Sequence, residues 1–171
     1  MTDTAMQDLL PVPAIERRDD IGRLVAVTWH SDAAASAPDG GRWLVAVDGS
    51  ACSLRAVAMA VRLVAPSGGG EVDLVHVQPW LVKEAAETEL PRRSWVATAA
   101  ARQALEAASV RWQLHVEMGE AAACIVGLSE TLDSRGIVIG SHGLTATESL
   151  FLGSVAYKVV HLGKRPVLIV R

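Results

Sequence analysis

"WLVAVDGSACSLRAVAMAVRLVA" (43–65) sets the architecture of this chain. It opens as a short continuous apolar run closed by an acid, the composition of a strand buried on both faces. After Gly49 the period changes. Leu54, Val57, Ala58, Val61 and Val64 recur at helical spacing, and Ser50 stands where it can cap the first turn. The rest of the chain repeats this strand-to-helix alternation. "EVDLVHVQP" (71–79) reads as a strand, and 84–109 as a helix with Pro91 near its start. "VRWQLHVEM" (110–118) is a strand, "EAAACIVGLSETLDS" (120–134) a helix and "IVIG" (137–140) a buried strand. Val155 to Leu162 is helical, and "PVLIVR" (166–171) is a last strand. The pattern predicts an α/β fold: an open five-stranded parallel sheet with helices on both faces, Rossmann-like or flavodoxin-like. In such sheets ligands gather beyond the carboxyl ends of the strands, at the switch point.

Residues 1–42 fall outside that unit and are expected to be an N-terminal extension, a flexible arm with an accessory strand in "GRLVAVTWH" (22–30) as the structured alternative. "APDGG" (37–41) reads as the linker to the main domain, 43–171. The 22–30 stretch echoes "GRWLVAVDG" (41–49), but one echo does not make a repeat.

Half of the 171 residues are hydrophobic and only 4% aromatic, with mean hydropathy +0.28 and net charge -3. That is enough apolar content for a core and the wrong charge for a nucleic-acid partner; Arg92-Arg93 is the densest basic pair. The first twenty residues carry acids where a signal peptide needs bases, and no segment approaches the roughly 18 apolar residues of a membrane span. The expectation is a cytoplasmic protein without a membrane span. Cys52 and Cys124 are isolated within helical patterns and read as buried thiols.

The informative stretch is "GSHGLTATESLFLGS" (140–154), a long loop with glycines at both ends, following a predicted central strand. Gly140 and Gly143 lack a Cβ, so backbone can press against a ligand there, and they are expected to take positive φ and form an anion-binding nest. Gly153-Ser154 opens the next helix, whose partnerless amides and dipole favour a phosphate. Glycines that serve only turns are the bland alternative.

With these residues in view, the chain from about Trp43 to Arg171 resembles the universal stress protein family. "VAVDGSACSLRAV", "LVHVQP", "IVIGSHG", "LFLGSV" and "RPVLIVR" carry the likeness, and the spacing G-x2-G-x9-G-S matches the family's nucleotide pattern in full. The resemblance implies the ATP-binding branch of that family, with the adenine nucleotide alpha hydrolase-like fold. It places Ala46, Val47 and Asp48 near the ribose or adenine, Val77 at the adenine edge, and Ile139 and Gly140 beside the sugar. Gly143, Gly153, Ser154 and Val155 would hold the phosphates of ATP, ADP or AMP, with or without Mg2+. Ala46 departs from the proline of some nucleotide-binding members, and Arg135-Gly136 from a more usual Ala-Asp.

Several readings stay open beside it. Asp48 is as readily a cap for the following helix as a ligand contact. His142 is a phosphate contact or a solvated loop residue, and His76 reads as a satisfied sheet histidine. Ser50 and Ser53 offer hydroxyls, yet G-x-S-x-G is absent, and "GKR" (163–165) lacks the rest of a Walker A sequence. Near the loop no lysine or arginine stands in motif spacing, and Glu148 is its only acid, so the site looks built to hold a nucleotide rather than to cleave it rapidly. The expectation is a nucleotide-binding stress-response regulator; a slow ATPase or nucleotide hydrolase using the same pocket, and a partner-binding module, remain alternatives. "PVLIVR", apolar and terminal, is an edge expected to pair two chains into a homodimer through 166–171, as the family likeness also implies, with a further protein partner unidentified.

Overall fold

The computed structural model describes residues 10–31, 41–65, 70–144 and 152–171. Its sheet has seven strands: β1 (Ile15–Arg18), β2 (Leu24–His30), β3 (Trp43–Ala46), β4 (Glu71–Gln78), β5 (Arg111–Met118), β6 (Gly136–Gly140) and β7 (Val167–Val170), in the order β1-β2-β5-β4-β3-β6-β7. Among the described residues five helices accompany them: α1 (Ala51–Val64), α2 (Lys83–Ala97), α3 (Ala99–Ala107), α4 (Ala121–Thr131) and α5 (Ser154–Leu162). No helix among the described residues is long and apolar enough to cross a membrane.

β3 to β7 form the parallel unit expected from the alternation, with Val45 opposite Leu74 on β4 and Val138 on β6. The sheet is nonetheless seven-stranded, not five, and not wholly parallel. β2 lies antiparallel to β5, with Thr28 opposite His115, and β1 lies antiparallel to β2. The physical reason is burial. Leu24, Val27 and Trp29 are each at most 2% exposed and belong to the main core. The ring of Trp29 meets that of Trp95 of α2 in a tilted contact, centres 5.2 Å apart, and Trp95 meets Trp112 of β5 in the same way at 6.3 Å. Its indole Nε1–H donates to the Pro11 carbonyl at 2.8 Å. Residues 10–30 are thus part of the sheet and its packing rather than an arm beside it.

The two faces of the sheet carry separate cores. One collects Val45, Val47, Leu74, Leu114 and Val138 under α1, α2 and α3; the other collects Leu44, Val75, Ile137 and Ile139 under α4 and α5. The single helix expected over 84–109 is two, interrupted at Thr98, whose Oγ1 donates to the Ser94 carbonyl at 2.7 Å. Pro91 lies inside α2 rather than in its first turn. Next to this break the Arg102 guanidinium lies over Trp95, with Cζ 3.3 Å from the ring centre.

At the amino ends of the strands lies a cluster that sequence patterning gives no sign of. Glu71 and Asp73 are 4% and 1% exposed. Arg42 bridges both, at 2.9 and 3.2 Å, and His115 Nε2 meets Asp73 at 3.0 Å. This cluster sits at the opposite end of the sheet from the strand ends where a ligand would gather.

Candidate functional site

β4 and β5 extend the sheet on one side of β3, β6 and β7 on the other, so the carboxyl ends of β3 and β6 mark the switch point. A cavity of about 290 Å³ opens there, at the lower end of the roughly 300–1,000 Å³ of small-molecule pockets. Every site residue singled out in the sequence reaches its wall. Ala46, Val47 and Asp48 come from the end of β3, Val77 from β4, and Ile139 and Gly140 from β6. His142 and Gly143 follow β6, and Gly153, Ser154 and Val155 form the start of α5. Sequence reasoning did not place Ser53, Val75, Ala121, Ile125, Ser141, Leu144 and Ala156 in this wall, where they also stand. The apolar ones among them were legible only as core positions. Which core residues face a cavity depends on how α4 and α5 splay, and no single segment encodes that.

Asp48 ties two elements together. Its Oδ1 accepts the Ser50 amide at 2.9 Å and its Oδ2 the Leu144 amide at 3.2 Å. It therefore serves the entry to α1 and holds the beginning of the glycine loop. Ser50 caps α1 by accepting the Ser53 amide at 3.1 Å, while Ser53 Oγ donates back to the Ser50 carbonyl at 2.9 Å. Both hydroxyls are thereby in helix-start bonds, and neither is paired with a base among the described residues.

The glycines act through space, not through φ. The positive-φ glycines of the described chain are Gly22, Gly41, Gly49 and Gly119, so Gly140 and Gly143 do not take the left-handed conformation expected of a nest. A Cβ on Gly140 would sit 2.8 Å from the Cys52 backbone carbon, and one on Gly143 would sit 2.8 Å from Asp48 Oδ2. Gly140 lets β6 end against the first turn of α1. Gly143 lets the loop lie on the Asp48 carboxylate, which makes these two residues neighbours in the cavity wall.

Gly153 is the N-cap of α5 with extended backbone, its amide donating to the Ser141 carbonyl at 2.8 Å. No side chain caps this helix among the described residues. The first-turn amides at Ser154, Val155 and Ala156 have no acceptor within the helix and stand in the cavity wall beside the Ser154 side chain. One end of the cavity thus offers amide donors at a helix start, and Val75, Val77, Ile125 and Ile139 offer an apolar wall.

His76 supports the wall from behind. Burial holds its imidazole below the ordinary 6.5, against the opposing pull of the Val47 carbonyl and the Asp48 charge. The neutral ring assigns itself from its partners: Nδ1–H donates to the Val47 carbonyl at 2.8 Å, and Nε2 accepts from the Gln78 amide at 3.0 Å. His142 Nδ1 lies 2.9 Å from Ser141 Oγ. Cys52 and Cys124 are both free and half-buried rather than fully buried. Burial, with the Glu117 and Glu120 charges, pushes the Cys124 thiol up and keeps it protonated at neutral pH. The middle of the glycine loop, 145–151 with Glu148, lies outside the described residues.

The model of the universal stress protein family matches residues 41–171. The chain belongs to the universal stress protein family. No curated protein sequence matches it. Among solved structures its fold resembles a universal stress protein in complex with cAMP: TM-score 0.63, 24% identity, 77% of this chain and 97% of the other. It resembles the universal stress protein of Archaeoglobus fulgidus in complex with dAMP: TM-score 0.57, 23% identity, 77% and 98%. It also resembles an Arabidopsis thaliana universal stress protein family protein with AMP bound: TM-score 0.57, 16% identity, 76% and 90%. At these identities the likeness speaks to the fold. The family match begins at residue 41, so β1 and β2 lie outside the matched region.

Proposed function

We propose that this universal stress protein binds an adenine nucleotide, ATP foremost and ADP or AMP in the same place, in the cavity between β3 and β6. In this reading it works as a nucleotide-responsive regulator of a stress response in the cytoplasm. The observation that carries the proposal is the pairing, within one cavity, of an uncapped helix start with an apolar wall. The Ser154, Val155 and Ala156 amides and the Ser154 hydroxyl suit phosphate oxygens, with or without Mg2+. Val75, Val77 and Ile125 suit the base, and Asp48 stands between, within reach of ribose hydroxyls. The residues fit the ligand because Gly143 leaves open the space over Asp48 that a Cβ would fill. The nucleotides held by the similar structures support the ligand class.

Holding rather than rapid cleavage is the better reading of this wall, because its described residues include no lysine or arginine to meet charge developing on a transferred phosphoryl group. We further propose a homodimer through β7. That strand is a sheet edge, and Tyr157, Val160 and Leu162 of α5 are exposed near it along with Ile169.

Nucleotide released from freshly purified, denatured protein, followed by calorimetry of the stripped protein with ATP, ADP and AMP, tests the reading. Bound adenine nucleotide and micromolar or tighter rebinding are expected. No release and no binding heat for any of the three would refute it, and several turnovers per second would move the protein into the enzyme class.

A further inference from the structure

Trp80 is 60% exposed, yet it is held from several sides. The Arg23 guanidinium carbon lies 4.8 Å from the centre of its ring, a cation–π contact. Arg23 is itself fixed by Asp19, through Nε at 2.9 Å and Nη2 at 2.8 Å, and its Nη1 donates to the Leu81 carbonyl at 3.2 Å. Two further contacts fasten the same turn to the start of α2: Lys83 Nζ donates to the Ile21 carbonyl at 2.6 Å, and Arg18 pairs with Glu87. The turn between β1 and β2 therefore grips the β4–α2 connection on both sides of the indole.

That connection follows β4, whose Val77 lines the apolar side of the cavity. Val77, part of the cavity wall, lies just before Trp80 on the same strand-to-helix passage. On the neighbouring passage, from β5 to α4, the indole rests on Gly119: its Cζ2 would stand 3.8 Å from a Cβ there. Ala121, two residues on, is again cavity wall. An aromatic ring with much of its surface open thus stands over Gly119, between two strand-to-helix connections flanked by the wall residues Val77 and Ala121.

Resting on the nucleotide reading above, we propose that Trp80 forms the outer wall of the base end and stacks on the nucleobase, and that Arg23 is the positioning residue that holds the indole there. Stacking suits the chemistry, because every base presents a flat π-face and an indole offers the largest matching one. Arg23 lies outside the family match at 41–171, so the device belongs to this chain's own extension.

The test is calorimetry on the full chain with ATP and AMP, alongside tryptophan emission, for wild type, Trp80→Ala, Trp80→Phe, Arg23→Ala and Arg23→Lys. Trp80→Ala should weaken ATP and AMP by the same factor, about five- to hundredfold, the equivalent of one base–aromatic stack. Its melting temperature should stay near wild type, since the side chain is largely exposed. Trp80→Phe should recover most of the affinity while losing the part of the ligand-induced quenching that Trp80 supplies. Arg23→Ala should give a smaller loss of the same kind, and Arg23→Lys should restore part of it. Wild-type affinity in Trp80→Ala, unchanged quenching in Trp80→Phe, or a Trp80→Phe variant as weak as Trp80→Ala overturns the stacking assignment. An unaffected Arg23→Ala overturns the positioning role. If wild type binds neither nucleotide, the reading of the cavity itself fails; if it binds both and Trp80→Ala binds equally well, only the assignment made here fails.

Discussion

Gly140 and Gly143 belong to one motif but should fail in different ways when given a side chain. A methyl group on Gly140 meets backbone: the Cys52 carbonyl carbon at 2.8 Å and its oxygen at 2.9 Å. Neither can swing away, because Cys52 lies in the first turn of α1, which packs across β3, β6 and β7. Gly140→Ala must therefore push α1 off the sheet or bend the end of β6, an overpacking cost of about 1–3 kcal/mol. A methyl group on Gly143 meets only Asp48 Oδ2, the free end of a side chain, at 2.8 Å. Its φ is not left-handed, so the backbone tolerates alanine. The carboxylate would turn away from the Leu144 amide, which is exposed enough to find water, so the stability loss should stay within about 1 kcal/mol. What changes is the cavity: the methyl fills space proposed for the ribose and displaces the acid proposed to contact it. Urea unfolding should show the deficit in Gly140→Ala. Calorimetry should show about ten- to hundredfold weaker binding in Gly143→Ala, for AMP as much as for ATP because Gly143 and Asp48 are neighbours. A Gly143→Ala protein that unfolds early and binds normally would refute this account of both glycines.

Arg42→Ala should destabilise by about 3–5 kcal/mol, since it leaves the buried Glu71 and Asp73 without their shared cation; the urea midpoint reads it, and a change within 1 kcal/mol would contradict the burial. Trp29→Ala should cost about 3–5 kcal/mol, and truncation to residue 43 should give a chain without cooperative melting, because β2 supplies part of the main core. Since the folded-state pKa of His76 is lowered, the unfolded chain binds its proton more readily. Stability contributed by the neutral ring is full above pH 6.5 and falls as pH drops from there through the lower folded value. Melting temperatures from pH 7.5 to 5 should fall less in His76→Gln than in wild type, and parallel curves would remove His76 from the effect. Ile169→Lys, which charges the outer surface of β7, should shift light-scattering mass from dimer to monomer; a dimer that persists would place the interface elsewhere.

How much of this was legible in the sequence differs from element to element. The β3–α1 unit was readable because both its periods are unbroken and Ser50 marks the boundary. The convergence of these residues on one cavity was readable because the glycines, the helix start and Asp48 lie at strand ends, where topology alone brings distant segments together. β2 was visible as a strand by composition, but its partner was not. Nothing in "LVAVTWH" says that it runs antiparallel beside β5, because that depends on the tilted packing of Trp29, Trp95 and Trp112, three residues far apart in the chain. β1 gave no signal at all. "IERR" is exposed throughout and held by charged partners, Arg17 with Glu117 and Arg18 with Glu87. The break at Thr98 was hidden inside an alanine-rich run with uniform helix propensity.

The polarity of the cavity dictates which way round a nucleotide must lie. A phosphate chain carries several negative charges, and among its described residues the wall holds one carboxylate, Asp48, which accepts two backbone amides and so is held in place. Two like charges a few ångströms apart inside a partly enclosed site repel by several kcal/mol at an effective dielectric of about 20. In the proposed reading the phosphates would therefore leave Asp48 behind and run toward the start of α5, where first-turn amides without a side-chain cap among the described residues, and the helix dipole, favour negative charge. That leaves the base only the apolar wall of Val75, Val77 and Ile125, and beyond it the passage that carries Trp80. In the nucleotide reading a ribose would lie between the two, and its hydroxyls are donors that a carboxylate can accept. On the proposed reading the same acid would repel one end of the ligand and attract the middle, so Asp48 would set orientation as well as affinity. It would do so with a side chain that also holds Leu144, at the beginning of the glycine loop, by its backbone amide.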